Sequence, residues 1–202
     1  IIISIGMTLV IATRGIDISV GAIVAISGSL IAVMIGSTDA STPSYYLFPM
    51  WFSIICAILA GGVCGTWNGF LVAELNMQPN VATLILMTAG RGIAQLITKS
   101  VIVPVYYTPF RILGAGFFFG IPISIYIALF VYLIVWLFCR KTAFGMFVES
   151  VGLNKTASAY TGINIKLIIM LAFILCGICA GVAGILLCAD VYSADANNIG
   201  LT

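Results

Sequence analysis

The sequence predicts an all-α fold, a polytopic bundle of transmembrane helices. Three observations support that prediction. Hydrophobic residues make up 62% of the 202 residues and charged residues only 7%, whereas a soluble domain is about half apolar and about a quarter charged. Apolar runs recur along the whole chain, and several exceed the roughly 20 residues that a helix needs to cross a bilayer. Three of the polar stretches between these runs, at 13–18, 38–47 and 74–79, are short.

Six apolar segments follow one another along the chain. They cover residues 1–12, 19–37, 48–73, 80–98, 118–139 and 167–189. The chain opens on IIISIG, with no initiator Met and no basic flank, which is atypical of a signal peptide. We therefore expect residues 1–202 to be a single transmembrane domain, an internal fragment whose N-terminal and C-terminal spans are missing.

The polar segments between the spans alternate between two faces of the membrane. The first face receives 13–18, 74–79 and 140–166, and the second receives 38–47, 99–117 and the tail after 190. Five basic residues lie on the first face and two on the second. The positive-inside rule therefore predicts that the first face is cytoplasmic.

The first polar interruption, RGIDISVG at 14–21, places a charge pair and two glycines between two apolar runs. Irregular backbone at membrane depth needs protein or a water-filled cavity around it. Two interpretations are open: a tight turn at the cytoplasmic interface, or a broken, re-entrant helix near 13–21 that lines a transport path. The glycines and the shortness of the stretch favour the broken helix. Asp17 and Ser19 then become candidate residues of the path.

Glycines recur at every fourth position in two of the spans. They are Gly61, Gly65 and Gly69 in the third span and Gly177 and Gly181 in the last. Small residues at this spacing leave a flat helix face that a neighbouring backbone can approach closely. We expect these faces to pack within the bundle.

Asn80, Arg91 and Gln95 are the polar set of the fourth span. Arg91 and Gln95 are four residues apart and share a helix face, and Asn80 lies at nearly the same angle. This one-sidedness predicts a stripe that faces the bundle interior. The stripe is either a hydrogen-bonding contact between helices or part of the path.

Polar residues also follow the last span. Asp195, Asn197 and Asn198 occur in DVYSADANNIG. They form either a solvated loop or a re-entrant element at the mouth of the path.

The composition excludes several classes of function. There is no histidine, and the six acidic residues are dispersed, so the chain offers no catalytic set and no metal site, and we expect no cofactor. A net charge of +2 gives no basic patch for nucleic acid. We expect a transport subunit and no enzyme. Ionisable groups within the spans are limited to Asp17 and Arg91, which is few for a proton-driven carrier and favours a separate motor.

The longest polar segment on the predicted cytoplasmic face is RKTAFGMFVESVGLNKTASAYTGINIK, residues 140–166. It contains four of the eight basic residues. Between two spans, a segment of this kind is expected to contact a cytoplasmic partner. We predict a short helix at 154–160, bounded by Gly152 and Gly162.

These motifs together resemble a known family. GIDISVGA at 15–22 resembles the GIDLSVG signature of bacterial ABC-importer permeases for ribose and related monosaccharides. VATLILMTAGRGIAQLIT at 81–98 and ADANNIGL at 194–201 look closest to the galactofuranose permease branch. The 140–166 segment matches the family pattern at Thr142, Gly145, Val151, Gly152, Asn154, Ala157, Gly162 and Ile163. Arg14 departs from that pattern, since relatives often have Gly there, and Ser158 replaces a common Ala.

The resemblance implies a multi-pass permease of the bacterial inner (cytoplasmic) membrane, in contact with membrane lipid. Two permease subunits, identical or related, would bind ABC ATPase subunits that hydrolyse ATP, and a periplasmic sugar-binding protein would deliver a ribose-like or galactofuranose-like sugar. Residues 140–166 would be the coupling loop. Its expected contacts with the ATPase are Gly145, Glu149, Gly152, Asn154, Ala157 and Gly162.

Two other hypotheses stay open. One is an ion-coupled secondary sugar carrier that uses Asp17 and Arg91. The other is a membrane receptor or scaffold subunit that transports nothing. The sequence does not name the sugar or decide between a homodimer and a heterodimer.

Overall fold

The computed structural model describes residues 1–35 and 48–195. The predicted polar segment 38–47 and the candidate residues Asn197 and Asn198 therefore lie outside the described residues. Within the described ranges the helices are α1 (Ile2–Ala12), α2 (Val20–Ile35), α3 (Met50–Ala73), α4 (Pro79–Thr98), α5 (Thr108–Ala115), α6 (Ile123–Lys141), α7 (Ala143–Leu153), α8 (Lys155–Tyr160) and α9 (Ile165–Val191).

Each of the six predicted apolar segments contains a helix, which confirms the prediction of a helical membrane protein. Among the described residues, α3, α4, α6 and α9 are long and apolar enough to cross a membrane. The apolar helices α1 and α2 have 11 and 16 residues. The two are separated by a non-helical segment, as the sequence predicted.

Helix α9 is the central element of the bundle, and α3 runs antiparallel to it. Gly61 faces the carbonyl of Gly177. A methyl group added to Gly65 would lie 2.5 Å from the carbonyl oxygen of Phe173 and 3.1 Å from the Cα atom of Ile174. The glycine faces of the two helices therefore pack as predicted, backbone against backbone.

The helices α1 and α2 also pack closely against α9. A methyl group on Gly6 would lie 2.9 Å from the Cα atom of Cys176 and 3.1 Å from the Cβ atom of Cys179. Gly28 of α2 faces Gly184, and a methyl group on Gly28 would lie 3.3 Å from the Gly184 carbonyl oxygen. The buried cysteines thus act as packing residues, because a free cysteine behaves as a small hydrophobic side chain.

The segment 99–117 is more structured than the expected loop. Helix α5 packs on α9, with Phe110 fully buried and Gly114 against the backbone of Ala189. The predicted span 118–139 also begins too early, because a hairpin of strands β2 (Phe117–Phe118) and β3 (Ile121–Pro122) precedes α6. Its two turn residues, Phe119 and Gly120, have φ of 49° and 77°, as in the tight turns typical of hairpins.

A second strand pair ties this region to the end of α9. Strand β1 (Val103–Pro104) pairs antiparallel with β4 (Ser193–Ala194). The guanidinium of Arg111 lies 4.1 Å from the centre of the Tyr192 ring. These two-residue strands leave the fold class unchanged.

The segment 140–166 contains two helices, of which the sequence analysis expected one. The predicted helix at 154–160 is confirmed as α8. Helix α7 was missed, although Phe144, Val148 and Val151 are buried and recur at positions i, i+4 and i+7, the period of an amphipathic helix. The Thr142 side chain caps α7 by accepting a hydrogen bond from the backbone N–H of Phe144, at 3.3 Å.

The contact between α3 and α9 predicts different outcomes for two neighbouring glycines. Gly65→Ala places a methyl against backbone atoms that cannot rotate away, so we expect a loss of about 1–3 kcal/mol and a lower melting temperature. Gly62→Ala is the matched control, because its methyl would meet only the Ile178 side chain, at 3.5 Å. Thermal unfolding of the full-length protein in detergent measures both. Equal melting temperatures for the two variants would contradict the packing described.

Candidate functional site

The non-helical segment 13–19 lies between the end of α1 and the start of α2. Thr13, Asp17 and Ser19 within it are buried. Arg14 has a φ of 61°, a left-handed conformation that costs a non-glycine residue roughly 1–2 kcal/mol. Glycine would adopt this conformation freely.

One side of this segment lies inside the bundle. Ala22 in the first turn of α2 packs against Gly90, whose added methyl would be 3.0 Å from the Ala22 Cβ atom. Gly90 lies 11 residues into α4, or about 17 Å from its start at 1.5 Å per residue. On the α9 side, Gly15 lies against the Phe173 ring. The non-helical backbone between two apolar helices agrees with the broken helix that the sequence analysis favoured. Its buried residues alternate with three exposed ones, Arg14, Ile16 and Ile18.

A buried polar cluster, Asp17–Ser19–Asn68, fixes the broken helix to α3. The Asp17 Oδ1 atom accepts hydrogen bonds from the Ser19 backbone N–H, at 2.9 Å, and from the Ser19 hydroxyl, at 2.6 Å. The Asn68 side-chain amide donates to the Ser19 Oγ atom, at 2.7 Å. Buried polar groups at membrane depth need such partners. The Asp17 Oδ2 and Asn68 Oδ1 atoms are buried and accept no hydrogen bond from the described residues.

Asn68 was missed by the sequence analysis. It is fully buried and lies on the glycine face of α3, seven residues after Gly61 and three after Gly65. A side-chain amide on the glycine face of a span could have identified Asn68. Lipid offers an amide no hydrogen-bond partner, so its partner must lie on a neighbouring helix.

The other candidate path residues are spread along the bundle. Asn80, Arg91 and Gln95 are each partly buried and lie beside the face of α4 that packs on α2. Asn80 and Gln95 are 15 residues apart, which is roughly 22 Å along a helix, so the stripe is long and does not form one cluster. Asp195 is partly buried directly after β4.

Four of the predicted coupling residues shape α7 and α8. Gly145 packs closely against the backbone carbonyl of Cys139, and Gly152 packs closely against that of Ala12. The Asn154 Oδ1 atom caps α8 by accepting a hydrogen bond from the Ala157 N–H, at 3.1 Å, and Gly162 follows α8 with a φ of 84°.

The outer surface of α7 and α8 exposes apolar side chains. Met146, Leu153 and Tyr160 are 63%, 77% and 88% exposed. The predicted coupling residues Glu149 and Ala157 are also exposed. A groove of about 230 Å³ runs between the helices, lined by Ser150, Leu153, Asn154, Ala157, Ser158 and Thr161. Exposed apolar groups around a groove are typical of a protein-binding surface.

Helix α7 also touches the broken helix directly. The Arg14 Nη2 atom donates a hydrogen bond to the Leu153 carbonyl oxygen, at 3.0 Å, beside the contact of Gly152 with the Ala12 carbonyl. The outer surface and the buried cluster are therefore joined through a few residues.

The cluster predicts unequal effects for two buried serines. Ser19→Ala removes the hydroxyl that donates to Asp17 and accepts from the Asn68 amide. Asp17 keeps the hydrogen bond from the backbone N–H of residue 19, but the buried Asn68 amide loses its acceptor among the described residues, so we expect a loss of about 1–3 kcal/mol. Ser29→Ala is the control, since the buried Ser29 hydroxyl has no hydrogen-bond partner among the described residues. Melting temperatures of the full-length protein compare the two. A Ser19→Ala protein as stable as Ser29→Ala would show that the cluster does not hold the broken helix.

Comparison with known proteins agrees with these features. The whole chain, residues 1–202, matches the family described as branched-chain amino acid transport system / permease component. It is 46% identical over 200 residues to the galactofuranose transporter permease protein of Escherichia coli strain K12, with 99% of this chain and 56% of that protein covered.

Two further relatives are also named for sugars. The fructose import permease protein of Bifidobacterium longum is 39% identical, over 99% of this chain and 55% of its own length. The ribose import permease protein of Escherichia coli strain K12 is 32% identical, over 96% of this chain and 59% of its own length. The chain thus spans somewhat more than half the length of these relatives. No solved structure gives a significant match.

Proposed function

Because the chain belongs to the family described as branched-chain amino acid transport system / permease component, we propose that it is the membrane-spanning permease part of an ATP-driven monosaccharide importer. The observation that supports this most is the 46% identity to a galactofuranose transporter permease over 99% of the chain. The family description names amino acids, but the fructose and ribose relatives match over nearly the whole chain. The cargo is therefore a sugar, of the galactofuranose or ribose type.

The proposed importer has its motor in a separate subunit. Helices α7 and α8 lie on the cytoplasmic side and bind an ABC ATPase through the exposed side chains of Met146, Leu153 and Tyr160. An apolar, partly concave surface of this kind supports docking because its burial in an interface is favourable. ATP binding moves the ATPase subunits, and that movement is passed through α7 and α8 to the spans.

The same family membership supports the remaining partners of this proposal. A second permease subunit, identical or related, completes the translocation path, and a periplasmic binding protein supplies the sugar. The protein resides in the bacterial inner membrane. Helix α6 supports a lipid-facing position, since Val135 is its one buried residue and an apolar surface of this size is unfavourable in water.

The path itself begins at the broken helix. Asp17 and Ser19 are enclosed by protein in this conformation, and a change in the backbone of segment 13–19 would open or close the bundle beside them. Asn80, Arg91, Gln95 and Asp195 are the further path residues in this proposal, together with Asn197 and Asn198.

The experiment that tests this function is sugar uptake by proteoliposomes. They contain the full-length protein, its ATPase and its binding protein, and are offered radiolabelled ribose and galactofuranose in turn. We expect uptake of one of these sugars that requires ATP and persists with a protonophore. Uptake that needs no ATP and stops with the protonophore would instead identify an ion-coupled carrier. Capture of the sugar-loaded binding protein without uptake would identify a receptor subunit.

The docking surface predicts a specific loss in ATPase binding. Tyr160→Ala removes the exposed aromatic ring of α8, so we expect the Kd of the ATPase for the full-length permease to rise about tenfold, or roughly 1.4 kcal/mol. Tyr132→Ala is the control, because Tyr132 is 50% exposed but lies on the span α6. Biolayer interferometry in detergent measures both values. An unchanged Kd for Tyr160→Ala would exclude this surface as the ATPase contact.

A further inference from the structure

The carboxyl ends of α1 and α7 meet at a small contact that the sequence analysis did not anticipate. We call it the α1–α7 contact, and it consists of Ala12, Arg14, Gly152 and Leu153. Gly152 lies directly against the Ala12 carbonyl, so that any side chain at 152 would meet it. The Arg14 guanidinium donates to the Leu153 carbonyl oxygen, at 3.0 Å.

The hydrogen bond of Arg14 has a clear physical basis. Leu153 is the last residue of α7, and the final carbonyls of a helix lack partners within it. A cation is also favoured at that end by the helix dipole. Arg14 holds a left-handed backbone, with a φ of 61°, that glycine would adopt without strain. The arginine therefore makes a contact that the less strained residue could not make.

The α1–α7 contact is continuous with the buried polar cluster. Asp17 lies three residues after Arg14, and Ser19 lies two further on. Ser19 accepts a hydrogen bond from Asn68 of α3. Between these points the chain is non-helical, so it can change φ and ψ without breaking a ladder of helix hydrogen bonds, as hinge segments do.

We propose that in this chain, which has arginine where related permeases often have glycine, Arg14 and Gly152 are the positioning residues through which movement of α7 and α8 reaches the broken helix. The α1–α7 contact is the link, and segment 13–19 is the hinge that converts its displacement into a change beside Asp17 and Ser19. This inference rests on the proposed function, because the displacement originates in the ATPase.

Arg14→Gly tests the link without straining the fold. The variant loses the hydrogen bond to Leu153 but relaxes the left-handed backbone, so its melting temperature should equal or exceed that of the wild type. In the full-length reconstituted importer we expect the number of ATP molecules hydrolysed per sugar imported to rise about threefold or more, as for other residues that carry coupling between sites.

Two variants serve as controls. Lys99 is also a basic residue in a left-handed conformation, with a φ of 53°, but it follows the carboxyl end of α4. Lys99→Gly should leave the ratio of ATP to sugar unchanged. Arg14→Lys keeps a positively charged donor near the Leu153 carbonyl and should return the ratio to within about twofold of the wild type, because only one N–H···O bond is needed there.

Three outcomes would overturn the proposal. They are a wild-type ratio in Arg14→Gly, an equal rise in Lys99→Gly, and a ratio in Arg14→Lys as high as that in Arg14→Gly. The wild-type complex is measured first. If the wild type shows no ATP-dependent import, the proposed function fails. If the wild type imports sugar and Arg14→Gly leaves the ratio of ATP to sugar unchanged, only the role of Arg14 fails.

Discussion

The close approach of α9 to its neighbours is the interaction on which the rest of the structure depends. Lipid is as apolar as the helices themselves, so association within a membrane relies on van der Waals packing and on hydrogen bonds between helices. Glycines at Gly6, Gly28, Gly61 and Gly65 bring the backbones of α1, α2 and α3 against α9. This packing encloses the space in which the broken helix can exist, because a non-helical segment exposed to lipid would leave its backbone polar groups without partners.

The broken helix links two parts of the molecule that have different surroundings. Inside the bundle, the Asp17–Ser19–Asn68 cluster attaches it to α3. At its other end, the α1–α7 contact attaches it to helices that expose Leu153 and Tyr160. A protein that must respond in its interior to a partner at its surface requires a connection of this kind, in which rigid elements meet a short segment that can change conformation.

Much of this arrangement was accessible from the sequence because it depends on local composition. Apolar runs located the spans, and the RGIDISVG interruption located the broken helix. The helix predicted between Gly152 and Gly162 is present as α8, although Gly152 itself belongs to α7. Tertiary relations were not accessible in the same way. The Arg14–Leu153 hydrogen bond joins residues 139 positions apart, and no local pattern specifies such a pair. Helix α5 was expected as a loop because its eight residues gain their stability from packing on α9 and not from a long apolar run.

A density map of the full-length protein in complex with its ATPase tests the central claim most directly. That claim is that α7 and α8 receive the movement of the motor and pass it to the broken helix. The account predicts that Met146, Leu153 and Tyr160 are buried against the ATPase while Gly152 remains in contact with Ala12. A map that places α7 and α8 on the opposite side of the membrane, or leaves them in contact with no other subunit, would contradict it.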